Sequence, residues 1–340
     1  MLTRKPQFLS SWTHKRALAR EILGDSTLLR EATPDLAQDR GRFDLMLYKG
    51  RLGIRGPQKS SDAWDFDFNE NFEVESLSVG LRTFIEEFQE KLPLLVPFFE
   101  SAQIRFRFDG KATYGIWLDT KREFMDAFSK SEAFVNLKKE IHVELGHTFD
   151  FSTPIPHVWL PSFSCHNEEL AVQSYVSSFS QPGPEANRAL IACGLELLDE
   201  IAIHDWIEVG AGYGNLTAAY ASLYSSPRWV LERESKDAKL FELNKRFFPE
   251  AEFYPRGVES ISQNEKVDLL LADPPRSGFS DFFKKDLVQS RYVLLYNCDL
   301  RGLLKDSEAL KAHYSLKKWS LVDVFPGTPY VEAITLWERQ

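Results

Sequence analysis

The sequence predicts an α/β fold: a mostly parallel sheet with an antiparallel edge, preceded by a smaller α+β domain. Three observations carry this. From residue 204 onward, short apolar runs alternate with amphipathic stretches, the pattern of a parallel sheet covered by helices on both faces. The last two apolar runs, "WSLVDVF" and "VEAITLW", are separated by "PGTPY" with no helix between them, so they pair antiparallel at one edge. The first 150 residues instead carry two hairpin patterns around one helix.

In chain order, the first 20 residues hold five basic side chains and no acidic one, and read as a solvated amphipathic helix. "RFDLMLYKGRLGIRG" (42–56) is a hairpin turning at Lys49-Gly50. An amphipathic helix spans about Val79 to Leu92, and "IRFRFDGKATYGIWL" (104–118) is a second hairpin turning at Asp109-Gly110. The proline-punctuated stretch 151–161 is a natural joint, which gives domains 1–160 and 161–340. A helix from Glu168 to Leu198 leads into the second domain. There, strands at 204–210, 228–232, 267–273 and 291–297 alternate with helices at 215–224, 235–247 and 281–290.

Bulk composition is that of a globular protein, with 43% hydrophobic and 27% charged residues. A net charge of −9 argues against a protein that coats nucleic acid non-specifically, though a local patch could still hold RNA. Arg105 and Arg107 share one strand face, and with Arg51 and Arg55 could contact phosphates; a solvated face is the plainer reading. Cys165, Cys193 and Cys298 lie far apart, so neither a disulfide framework nor a metal or iron–sulfur site is expected. No apolar run approaches the ~18 residues of a membrane span. The expectation is a cytoplasmic protein and a monomer.

"EVGAGYGN" (208–215) follows a strand and opens a helix. Gly210, Gly212 and Gly214 allow a tight turn and close approach to a ligand. Their spacing is not that of dinucleotide folds, and the acidic Glu208 suits a cationic ligand better than a pyrophosphate. Glu232 ends the next strand, where a carboxylate can accept both ribose hydroxyls. Together these point to S-adenosylmethionine and a Rossmann-like class I methyltransferase domain.

"ADPPRSG" (272–278) puts Asp273 on a rigid turn at a strand's carboxyl end, where open α/β sheets bind ligands. Asp273 would border both cofactor and substrate. Arg276 stands where enzymes acting on exocyclic amines carry an aromatic residue, so another target is expected. Cys298 ends the next strand, and Glu332 follows a Gly/Pro turn. A thiol, an aspartate and a glutamate beside a methyl donor suit methylation of uracil C5: the thiolate adds to C6, C5 attacks the methyl, a base removes the C5 proton, and the thiol leaves. Cys298 is then the nucleophile and Glu332 the base; Asp273 orients the uracil. Arg276 or the following helix N-terminus would lower the thiol pKa.

These residues also resemble the RNA uracil-C5 methyltransferase family, which includes tRNA and 23S rRNA enzymes. "DPPRSG" matches its DPPR[SA]G motif. "LYNCDL" (295–300) is similar to its Y-[VI]-S-C-N-P strand end, with Cys298 as nucleophile. "FPGTPYVE" (325–332) resembles its F-P-x-T-x-H-x-E, with Glu332 as base and Tyr330 in place of histidine. "SFSCHN" (162–167) resembles its S-F-x-Q-x-N segment before the lead helix; this carries over Phe163, a candidate for stacking on the base, and puts Cys165 at the glutamine position. Asp299-Leu300 replaces Asn-Pro, and Asp299 should raise the pKa of the neighbouring thiol. The resemblance implies an S-adenosylmethionine-dependent enzyme acting on structured RNA, tRNA before 23S rRNA, that extracts its target base from the stack, with domain 1–160 as the RNA-docking module. Two rivals are a catalytically impaired RNA-binding relative and a methyltransferase acting on a small molecule or protein.

Overall fold

In the computed structural model the described residues are 11–24, 27–33, 40–55, 68–69, 77–108, 114–146, 155–159, 170–233, 235–261, 265–326 and 328–340. Backbone contacts divide the chain into two compact units. One comprises Met1–Pro34, Trp159–Val172 and Glu185–Gln340; the other comprises Asp35–Val158 and Gln173–Pro184.

The first helix is Trp12–Leu23, and Ser11 caps it by accepting from the His14 N–H. It is not simply a solvated helix: Lys15, Ala19 and Leu23 are buried. Strand β1 (Thr27–Ala32) follows.

The smaller unit builds a six-stranded sheet from β2 (Arg42–Tyr48), β3 (Arg51–Arg55), β4 (Phe68–Asn69), β5 (Ser101–Phe108), β6 (Tyr114–Asp119) and β7 (His142–Leu145). Its order is β4-β3-β2-β5-β6-β7. Both expected hairpins are present. The first turns on Lys49 (φ 48°) and Gly50 (φ 78°); two positive φ values match the right-handed twist of the flanking strands. The tip of the second, Asp109-Gly110, lies outside the described residues. Helix Val79–Phe88 buries Leu81, Phe84, Ile85 and Phe88, spaced at three and four residues, in a core with Ile104, Phe106 and Ile116.

Strands β8 (Ile155–Trp159) and β9 (Leu170–Ser174) form a separate two-stranded sheet. The long helix expected from Glu168 is therefore corrected: it spans Pro184–Leu197. Proline lacks the N–H that an interior helical residue must donate, so it starts the helix and blocks its extension backwards.

The larger unit adds β10 (Trp206–Val209), β11 (Trp229–Leu231), β12 (Glu252–Tyr254), β13 (Glu265–Ala272), β14 (Val288–Asn297), β15 (Tyr314–Val322) and β16 (Glu332–Arg339). The sheet order is β1-β15-β16-β14-β13-β10-β11-β12. Strand β16 runs antiparallel to both neighbours, β14 and β15, while the other pairings are parallel. The expected antiparallel pair is thus real but lies inside the sheet, because β1 adds beyond β15. The helix expected at 281–290 is shorter, Ser280–Lys285. Asp286 takes a left-handed conformation (φ 47°), and β14 begins at Val288. Ile207, Val209, Leu270, Ala272, Val293 and Leu295 point into one core, which fixes the pleat of the three central strands.

Candidate active site

Three strand ends converge. The end of β10 continues into Gly210–Gly214, that of β13 into Asp273, and that of β14 into Cys298. Strand β13 pairs with both β10 and β14, so the three connections are neighbours at one edge of the sheet. Glu332 begins β16 beside them: Asn297 faces Ala333 across the antiparallel ladder, which brings Glu332 level with Cys298. The three residues proposed for the chemistry are brought together by register alone.

The glycine loop takes φ values of 81°, 57° and 91° at Gly210, Gly212 and Gly214, a region costly for any residue with a Cβ. Gly210 has a second requirement, since a Cβ there would lie 2.1 Å from the Asp273 carbonyl oxygen. Asp273 N–H in turn donates to the Val209 carbonyl at 3.0 Å. Around Gly212 a Cβ would meet nothing within 4 Å, so the loop has open space there. The Gly212 N–H donates to Glu232 Oε2 at 2.8 Å. Glu208 is fully buried; its Oε2 accepts from the Thr217 hydroxyl at 2.6 Å, and its Oε1 has no hydrogen-bond partner among the described residues. Burial, with help from Asp273 and Glu232, pushes its pKa up to about 8. An orphaned buried carboxylate oxygen, an open glycine turn and a carboxylate at the next strand end form a set that fits a cationic nucleoside.

Asp273 is half-buried, and desolvation followed by the Glu232 charge raises its pKa to about 7. Burial, then Asp273, raises Glu332 well above the ordinary carboxylate value, while Arg276 pulls the other way. The expected activation of Cys298 is reversed. Burial, Glu332 and Asp273 push its thiol up to about 12, and Arg276 offsets only part of that. Asp299 also raises it, as expected, but contributes least. The reason is structural. Asp299 caps helix Leu300–Leu310, accepting from the Arg301 N–H at 2.8 Å, and pairs with the Arg301 guanidinium at 2.7 Å.

Two supports were not read from the sequence. Asp306 accepts from the Phe279 N–H at 2.8 Å and from Asn297 Nδ2 at 2.9 Å, joining the loop after Asp273 to the strand end before Cys298. The Arg276 guanidinium lies 3.8 Å over the Tyr330 ring, so the residue that departs from the family's histidine is a cation–π seat.

Phe163, Cys165 and Asn167 lie outside the described residues. The corrected helix start draws attention to a second S-F-x-Q stretch, Ser178-Phe179-Ser180-Gln181, just ahead of Pro184 and with its glutamine in place. Phe179 is 58% exposed, while Gln181 is buried with Oε1 unpartnered among the described residues. Cys193 is buried in helix Pro184–Leu197.

Arg105 and Arg107 are neither phosphate contacts nor a solvated face. They grip the segment that carries Phe179: Arg107 donates to the Tyr175 carbonyl at 2.8 Å and Arg105 to that of Ser177 at 2.8 Å. Arg42 donates to the Ser180 carbonyl at 3.0 Å, and Glu144 accepts from the Val176 and Ser177 N–H groups at 2.7 and 2.8 Å. Arg51 is exposed and lines a groove of about 820 Å³ with Arg82, Gln89, Pro93 and Pro97. Among the described residues, no cluster of three or more His, Cys, Asp or Glu could hold a metal, and no helix is long and apolar enough to cross a membrane.

The larger unit has the fold of a class I methyltransferase. Along 98% of its length this chain superimposes on the tRNA (uracil-54, C5)-methyltransferase of Pyrococcus abyssi, solved with S-adenosyl-L-homocysteine, with a TM-score of 0.69, 15% identity and 83% of that chain covered. No family model matches the sequence. An uncharacterized RNA methyltransferase of Bdellovibrio bacteriovorus is 25% identical over 335 residues, covering 88% of this chain and 81% of that protein. The 23S rRNA (uracil(1939)-C(5))-methyltransferase RlmD of Shewanella woodyi is 29% identical over 51% of this chain and 40% of its own length. The tRNA/tmRNA (uracil-C(5))-methyltransferase of Pseudoalteromonas translucida is 25% identical over 49% of this chain and 50% of its own length. The chain thus spans half or less of those two relatives. The resemblance to RNA uracil-C5 methyltransferases read from the motifs is borne out.

Proposed function

We propose that this protein transfers a methyl group from S-adenosylmethionine to C5 of a uridine in structured RNA, through a covalent bond between Cys298 and uracil C6. The observation that carries the reading is the convergence of Cys298, Asp273 and Glu332 beside the glycine loop, with motifs similar to those of enzymes named for this reaction.

Gly210, Gly212 and Gly214 would cradle the methyl donor, with Glu232 on its ribose; Glu208 and Asp273 would supply negative charge toward its cationic end. When bound, the donor supplies an electrophilic methyl group and a positive charge. The residues of this chain do the rest. With its proton lost to solvent, Cys298 Sγ bonds to C6, the C5–C6 π pair moves through C5 to the uracil O4, and Arg276 offsets the negative charge there. Asp273 orients the ring through N3–H. Once C5 carries the methyl group, Glu332 removes its proton; the electron pair re-forms the C5–C6 double bond and the C6–S bond breaks. The raised pKa of Glu332 makes its ionised form a stronger base than an ordinary glutamate. The smaller unit docks the RNA, with Arg51 and Arg82 as candidates for the phosphates. Cytoplasmic RNA fits these roles.

We favour tRNA, for which the 25%-identical Pseudoalteromonas translucida relative is named. The competing substrate is 23S rRNA, which a 29%-identical relative is named for. Mapping 5-methyluridine in tRNA and 23S rRNA from cells lacking the gene decides this. Loss of the mark from a tRNA position supports the proposal. Loss from 23S rRNA alone supports the second substrate, and an unchanged map contradicts both.

A further inference from the structure

An ammonium group buried in a protein core is costly unless it is paired and hydrogen-bonded. Lys15 is 1% exposed. Its neighbours on the first helix, Ala19 and Leu23, pack with Leu300, Leu303, Trp319, Leu321, Val331 and Ala333. An apolar side chain of similar length would fill the same space at lower cost, so the charge is explained by what it holds. Lys15 Nζ donates to Asp323 Oδ1 at 2.7 Å and to the Phe325 carbonyl at 3.0 Å. Asp323 N–H donates to the Ala32 carbonyl of β1 at 2.9 Å. The first two described elements of the chain therefore both fasten one point, where β15 ends.

From that point a hydrogen-bonded chain leads to the chemistry. The Phe325 carbonyl also accepts from the Thr328 N–H at 3.2 Å and the Thr328 hydroxyl at 2.8 Å. The Thr328 hydroxyl accepts from the Tyr330 N–H at 3.3 Å. Tyr330 seats Arg276, and two residues later comes Glu332. We propose that Lys15 is a positioning residue for the general base: its ammonium sets the turn between β15 and β16, and through it the place of Glu332.

The proposal rests on the uracil-C5 reading and has a specific kinetic signature. Formation of the C6–S bond uses Cys298; its release requires Glu332 to take the C5 proton. A misplaced Glu332 slows release more than formation. A merely destabilised fold slows both together. The variants are Lys15→Met, the double variant Lys15→Met/Asp323→Asn, which leaves no unpaired buried charge, and Lys15→Arg. Each is incubated with methyl-labelled S-adenosylmethionine and total RNA from cells lacking the gene, then run on a denaturing gel. Adduct formation should stay within about twofold of wild type. Release should slow about 10- to 100-fold, so that methylated RNA–protein adduct accumulates, since a displacement of about 1 Å costs that much. Lys15→Arg should restore turnover. Release at the wild-type rate, or a fall in formation equal to the fall in release, would overturn the proposal.

Amide hydrogen exchange in the free double variant gives a reading independent of RNA. The Tyr330 amide should exchange at least about tenfold faster than in wild type; unchanged exchange overturns the proposal whatever the RNA does. Failure of the wild-type protein to form an adduct with any RNA would instead count against the uracil-C5 reading.

Discussion

The smaller unit and the candidate site of the larger unit use buried charge in opposite ways. In the smaller unit, Arg42, Arg105, Arg107 and Glu144 each meet a backbone group of the irregular segment Tyr175–Ser180. Charges there are matched and build shape. In the larger unit, Glu208, Asp273 and Glu332 are crowded together, and the cation acting on Glu332 is Arg276. Charges there are short of partners, and their pKa values rise. The difference teaches that a buried charge with its hydrogen bonds complete is a structural device, whereas a cluster of under-compensated carboxylates stores an affinity for positive charge and for protons. One unit holds an exposed phenylalanine on a pinned backbone; the other holds a site that a cationic methyl donor would complete.

That contrast can be broken at several points. The largest effect belongs to the proposed reacting groups. Cys298→Ala should lower RNA methylation at least about 10³-fold, and Glu332→Gln about 10²- to 10⁴-fold with adduct accumulating, both read by methyl transfer to RNA. Gly210→Ala should come next. Its Cβ would collide with the Asp273 carbonyl in a backbone region strained for alanine, so about 3 kcal/mol of stability should be lost and S-adenosylmethionine binding weakened, measured by denaturant unfolding and calorimetry. Arg107→Met removes one of two donors to the Tyr175 carbonyl, which keeps the Ser178 N–H at 3.2 Å, and should cost about 1 kcal/mol, with faster amide exchange at residues 175–178 and an unchanged thiol reactivity at Cys298.

The last effect sharpens the contrast through pH. The pKa of Glu208 rises from 4.5 to about 8 on folding, and that of Asp273 from 3.8 to about 7. Within those windows the folded state holds more protons than the unfolded one, so stability falls as pH rises. Urea unfolding of the free protein should show a decline from about pH 5 to 8, and Glu208→Gln should flatten it, gaining about 2 kcal/mol at pH 8 and less at pH 6. A matching gain from Glu144→Gln would erase the distinction between the units, because glutamine has one side-chain oxygen where Glu144 uses two to accept the Val176 and Ser177 N–H groups.

Much of the larger unit was legible in the sequence. Apolar runs of strand length, a glycine turn after the first of them, Asp-Pro-Pro after another and a cysteine after the next carry both the topology and the placement of the proposed site. What stayed hidden depends on contacts far apart in the chain. Strand β1 is partly exposed and lacks a clean alternation, so nothing local marks it as the outer neighbour of β15. Lys15 and Asp323 are 308 positions apart. Two stretches beginning Ser-Phe-Ser precede helix Pro184–Leu197, and only the helix start shows which of them leads directly into it. The reversal at Cys298 has the same origin: the sequence shows Arg276 and Asp299 nearby, but burial beside Glu332 and Asp273 outweighs both.

The most direct measurement asks whether Cys298 attacks a pyrimidine. RNA in which uridine is replaced by 5-fluorouridine has no removable C5 proton, so the last step is blocked. With S-adenosylmethionine present, a complex should survive denaturation, carry one methyl group per adduct and map by mass spectrometry to the peptide containing Cys298. A complex that forms equally well in Cys298→Ala, or RNA methylation by the wild-type protein without any such complex, would contradict the account.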